Sequence, residues 1–141
     1  MITVKNPIND VYERLQKAVE PKVGKNFSMN MSDTPAKFPY IRLMYLGGTT
    51  TDKDLEGNES GINISFQVES YQNGQKALSK VWELDSIAHQ AMVDMGFGRT
   101  YNNLVENADS NIKRVVSRYT MLYTGYLLGE KLEPEEKGKN E

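Results

Sequence analysis

The 141-residue chain has no cysteine and a single histidine, His89. Without cysteine there can be no disulfide, no thiolate nucleophile and no zinc site built on sulfur, and the composition suits a reducing compartment. Cationic charge is also not in excess. Seventeen Lys and Arg face nineteen Asp and Glu, for a formal net charge of -2. No overall basic field therefore exists to draw in nucleic acid or an anionic membrane surface. Nowhere do about twenty apolar residues run together, and the opening Met1 to Asn6 has no apolar segment of the kind a secretory signal needs. The expectation is a protein made and kept in a cytoplasm, with no membrane partner.

What is present fits one domain. Apolar residues make up 38% and charged residues 26% of the chain, near the globular range, and a chain of this length can bury roughly two-thirds of its unfolded surface. Between Pro7 and Val19, the residues Ile8, Val11, Tyr12, Leu15, Ala18 and Val19 recur at helical spacing, with Asn6 as N-cap, Pro7 in the first turn, and Pro21 and Gly24 as the stop. Phe27, Met29 and Met31 alternate with polar residues as a short edge strand. Tyr40 to Leu46 reads as a stronger strand ended by Gly47 and Gly48.

The polar stretch Gly47 to Gly61 is expected to project as a long loop, and Ile62 to Val68 alternates as a half-buried strand. Gln75 to Met95 places Ala77, Val81, Leu84, Ala88, Ala91, Met92 and Met95 on one helix face. Gly96 follows as the C-cap, and Phe97 is positioned to fold back on the last turn. Tyr101 to Asn111 reads as a polar connection, and Ile112 to Leu128 as a long β-branched and aromatic strand. The fold class is α+β: a mainly antiparallel or mixed sheet of about four strands with two helices on one face. Residues 1–129 form the domain, and 130–141 a disordered charged tail that orders, if at all, on a partner.

Motifs for chemistry are weak. His89 lacks a nucleophile elbow to complete a triad, and its bland role is a surface pairing with Asp85 one turn away. Asp52-Lys53-Asp54-Leu55-Glu56-Gly57 imitates the start of a calcium loop. The twelfth position, however, is Asn63, and the flanks read as strands where helices are required. Gly96-Phe97-Gly98 closes a helix, whereas a phosphate cradle opens one. Asn58-Glu59-Ser60 and Asn63-Ile64-Ser65 fit a glycosylation pattern by chance. Lys113, Arg114 and Arg118 form a small basic cluster. No catalytic set, metal site or cofactor emerges.

Interaction surfaces are the better candidates. Leu78, Trp82, Asp85 and His89 form a stripe on the flank of the second helix, and Trp is enriched at interfaces. Tyr119, Met121 and Tyr123 share one face of the last strand while Val116 and Leu122 share the other, so both faces carry apolar groups. Asp52, Asp54, Glu56 and Glu59 mark the long loop as acidic, suited to a partner surface or a lumen that repels DNA.

The series Phe38-Pro39-Tyr40-Ile41-Arg42-Leu43, a polar loop with Asp-Leu-Glu-Gly, the strand Ile62 to Tyr71, the helix ending Met95-Gly96-Phe97-Gly98-Arg99, and the final Arg118-Tyr119-Thr120-Met121 strand resemble the tail-terminator proteins of long-tailed bacteriophages and prophages. These are also called tail-completion or tail-to-head joining proteins, and the resemblance covers roughly Pro7 to Leu128. It implies a non-enzymatic virion protein, made in the host cytoplasm, that forms a homohexameric ring on the tail tube protein. Such a ring ends tube growth and joins the head connector or stopper protein, while DNA passes through the lumen without specific binding. Two other readings stand beside it: another neck subunit, either head-completion or stopper, or a small α+β ligand-binding or regulatory domain.

Overall fold

The computed structural model describes residues 6–29, 35, 37–51, 61–106 and 108–129, with the side chains of 50 and 51 excepted. Its elements are α1 (Ile8–Val23), β1 (Phe27–Ser28), β2 (Tyr40–Thr51), β3 (Gly61–Asn73), α2 (Ala77–Asp94), β4 (Gly98–Val105) and β5 (Ile112–Tyr123). The strands form one mixed sheet of order β1-β2-β3-β5-β4, in which only the β1–β2 pair is parallel. The α+β class is as expected, with five strands where about four were anticipated. The candidate acidic residues 52, 54, 56 and 59 and the tail 130–141 lie outside the described residues.

Side-chain alternation divides the sheet into two unlike faces. Ile41 and Leu43 of β2, Ile62, Ile64, Phe66 and Val68 of β3, and Tyr119 and Tyr123 of β5 share a core with Val11, Leu15 and Val19 of α1 and Leu84, Ala88 and Met92 of α2. Both helices are amphipathic, and burying their apolar stripes on this face is what holds the layers together. Aromatic edges extend the contact: Phe66 meets Phe97 edge-on with ring centroids 5.5 Å apart, and Tyr12 lies 4.9 Å from Phe27.

Several boundaries differ from the sequence reading. α1 starts after Pro7 without a side-chain cap and continues through Pro21 to Val23. Proline forfeits one backbone hydrogen bond, and in the final turn of a helix packed along its length this cost is tolerated. β2 does not stop at the glycines. Its pairing with β3 shifts between Tyr45 and Gly47, Leu46 is 47% exposed at the shift, and Gly47 takes φ 123. A bulge at a residue free to adopt positive φ lets the strand bend and run on to Thr51, so Gly47–Thr51 belong to the sheet and not to a loop.

The stretch Tyr101–Asn111, expected to be a connection, instead contains most of β4. Asn102 and Asn103 disguise it, since asparagine is a poor strand former, but Asn102 is held by side-chain hydrogen bonds described below. The expected helix stop is present. Gly96 adopts φ 106 and donates to the Val93 carbonyl, while the Phe97 amide donates to the Met92 carbonyl at 3.1 Å. This pair of hydrogen bonds satisfies two end carbonyls of α2 and turns Phe97 into the core.

Phe66 is fully buried at the centre of the helix-facing side of β3. Phe66→Ala is expected to lower unfolding stability by about 3–5 kcal/mol, read from the urea midpoint at unchanged m-value.

Candidate functional site

Two polar networks lie on opposite sides of the sheet. On the helix side, Asp85 of α2 is 2% exposed. It accepts a hydrogen bond from Ser117 Oγ of β5 at 2.7 Å and one from Asn102 Nδ2 of β4 at 3.0 Å, and Arg99 Nη1 lies 3.6 Å from its Oδ2. Asn102 also donates to Ser117 at 2.7 Å. A buried carboxylate is acceptable only with such partners, so this set locks the helix to the two last strands.

His89 does not pair with Asp85 as the helical wheel suggested. Its Nδ1 lies 3.2 Å from the Tyr119 hydroxyl, and the two rings stack at 5.8 Å. Burial, then the positive charge of Arg99, lowers the His89 pKa below its ordinary value. Tyr119 is pushed up to about 12 by burial and by the Asp85 charge.

On the other side, Glu69 of β3 is 4% exposed and accepts from three residues: Arg42 at 3.2 Å, Gln67 at 2.6 Å and Tyr71 at 2.6 Å. Arg118 of β5 continues the chain, donating from Nε to Gln67 Oε1 at 2.8 Å and lying over the Tyr101 ring of β4 at 4.8 Å. Four adjacent strands are thus bridged by hydrogen bonds and one cation–π contact. Burial, and then the hydrogen bond to Glu69 and its charge, raise Tyr71 to about 12. The sequence contained each of these residues, but only the register, with Arg42 opposite Glu69 and Gln67 opposite Arg118, brings them together.

Ser117 donates its hydroxyl hydrogen to the Asp85 carboxylate, and among the described residues no group of three or more His, Asp or Glu side chains could hold a metal ion. Among the described residues no helix is long and apolar enough to cross a membrane. The depression at the turn between β4 and β5, about 310 Å³, is lined by Leu104, Val105, Glu106, Ser110, Ile112 and Lys113. It has no convergent buried donors of the kind that orient a small ligand.

The surface candidates are redistributed. Leu78 is 49% and Trp82 37% exposed on α2, and both remain available to a partner, whereas Asp85 is inside its network and His89 half-buried. Tyr119 and Tyr123 are core residues and Met121 packs against that core, so the expectation that these three offer a free face is corrected. Their alternation sends them toward the helices. On the opposite face of β5, Leu122 is 49% exposed and Val116 is buried.

No family model matches the sequence, and no curated protein matches it. A search of solved structures finds a similar fold in a chain of the virion of a native gene transfer agent (GTA) particle. The TM-score is 0.62 at 12% identity, over 82% of this chain and 92% of that one.

Asp85→Ala leaves Ser117, Asn102 and Arg99 without their acceptor, and a loss of about 3 kcal/mol is expected by chemical denaturation. Tyr71 and Tyr119 hold their protons in the folded state up to about pH 12, while the unfolded chain loses them near its ordinary value of 10.0. Their contribution to stability is therefore complete below pH 10 and falls as pH rises toward 12. Monitoring tyrosinate absorbance during alkaline titration should show a late step coincident with unfolding, and Tyr71→Phe or Tyr119→Phe should diminish it.

Proposed function

We propose that the protein is a structural virion component of a phage-like particle, and specifically a tail terminator. It forms a ring on the last ring of the tail tube protein, ends tube polymerisation and presents a surface to the head connector or stopper protein. The observation that carries this reading is the fold likeness to a gene transfer agent virion chain, which spans 92% of that chain and 82% of this one. The sequence resemblance to tail-terminator proteins, described from Pro7 to Leu128, supports the finer assignment.

The role is non-enzymatic and needs no cofactor. A ring subunit works through surfaces, and because cyclic contacts are head-to-tail it needs two different ones. Leu78 and Trp82 offer an exposed apolar pair on the helix side, and Leu122 an apolar group on the open face of the sheet. Asp52, Asp54, Glu56 and Glu59 are the candidate partner or lumen segment, whose charge would discourage passing DNA from sticking. The protein acts in the virion after assembly in the host cytoplasm.

The test combines absolute mass over a concentration series with imaging of the protein added to growing tail tubes. A ring of about six copies, seated at one end of tubes of limited length, is the expected outcome. Tubes that grow unchanged and uncapped in its presence would sink the assignment, and a ring that binds connector but never tube would instead favour a stopper role.

A further inference from the structure

Asn73 ends β3 and Gly74 follows it, and no other asparagine in the chain precedes a glycine. Both residues are exposed, as are Gln75 and Lys76, so water reaches the whole connection into α2. Asn73 stands opposite Ile112 at the last position of the β3–β5 ladder, and the Ile112 amide donates to the Asp109 carbonyl at 3.0 Å. Asn73 therefore sits at a ladder end, where backbone pairing opens most readily.

Backbone geometry and charge both favour chemistry at this junction. Gly74 takes φ 81, and a Cβ built on it would meet nothing within 4 Å, so no neighbouring atom crowds the residue. Lys76 takes φ 61, a conformation that side chains rarely adopt, and the Ala77 amide reaches the Gly74 carbonyl only at 3.3 Å. Lys76 is also the N-cap residue of α2; it makes no side-chain capping bond, and the first turn carries no acidic residue. A helix start bears roughly half an elementary positive charge, and the lysine adds its own two residues beyond Gly74. Positive charge at that point favours loss of the Gly74 amide proton, the step that turns a backbone nitrogen into a nucleophile.

We propose that Asn73 is a self-modification site, deamidating in the folded chain through attack by the Gly74 nitrogen. The deprotonated nitrogen attacks Asn73 Cγ, a C–N bond forms, and the side-chain nitrogen departs as ammonia to leave a five-membered succinimide. Water then opens the ring. Addition at Cγ gives aspartate, and addition at the backbone carbonyl gives isoaspartate, whose main chain runs through Cβ. Nothing is oxidised or reduced: an amide and water become a carboxylate and ammonium. Glycine suits the attacking position because it has no side chain to obstruct ring closure. Either product sets a negative charge ahead of α2, complementing Lys76 and the helix start. Isoaspartate also adds one carbon to the main chain between β3 and the buried Ala77, so it shifts where α2 begins. The chemistry does not depend on the tail-terminator role.

The test holds the full chain in mildly alkaline buffer, with circular dichroism checking that it stays folded, and samples it over weeks. Peptide mass mapping locates each amide-to-acid exchange, and an isoaspartyl methyl-acceptor assay measures the rearranged product. Exchange is expected on the peptide carrying Asn73 ahead of every other asparagine, with isoaspartate accumulating in parallel. Asn73→Gln is expected to lose both signals, since its longer side chain would have to close a six-membered ring. Asn73 left intact in the folded chain would overturn the proposal, even where the same chain unfolded in urea reacts there. So would exchange that appears first at another asparagine, or that proceeds at Asn73 without any isoaspartate.

Discussion

Glu69 lies in the middle of the central strand on the side of the sheet that no described helix covers, and it is nevertheless almost wholly removed from water. An ionised carboxylate in that position is tolerable only if its oxygens are answered, and Arg42, Gln67 and Tyr71 converge on it from β2 and β3. The arrangement demands the observed register. Slipping β2 by one residue against β3 would turn Arg42 into the apolar core and Ile41 and Leu43 outward, breaking both faces at once. The core under the helices and the polar lattice on the other side thus specify one another through a single strand.

Asp85 plays the corresponding part between layers. Most of the grip of α2 on the sheet is apolar and tolerant of sliding, as hydrophobic contacts are. Three directional partners on β4 and β5 remove that freedom. They also explain why β4 stays attached at the sheet margin although it is largely exposed: its Asn102 and Arg99 are tied inward to the helix.

Much of the fold was legible from periodicity. The apolar face of α2 and its glycine stop with Phe97 folded inward are local patterns that survive in the structure, whereas β3, expected to be half-buried, alternates only as far as Ser65 and is buried on both faces from Phe66 to Tyr71. The misreadings occurred where a distant residue overrules local preference. Asn102 belongs to a strand because Asp85 and Ser117 hold it, and Gly47 extends a strand because a bulge absorbs it. Tyr119, Met121 and Tyr123 were placed correctly on one face, but alternation cannot say which face the helices cover. The Glu69 and Asp85 networks were not legible at all, since each depends on registers that join residues far apart in the chain.

The position of β5 has a mechanical consequence. It is the last strand among the described residues but lies inside the sheet, registered along its whole length with β3 and over most of it with β4. After it, the chain returns to α2, where the Leu128 amide bonds the Met95 carbonyl and Leu127 is buried. Tension applied beyond Gly129 would first meet this anchor. If the anchor gave way, a pull along β5 would load two ladders of backbone hydrogen bonds together in shear, instead of opening one ladder bond by bond as at an edge strand. Force entering through the C-terminal segment is therefore shared across the sheet.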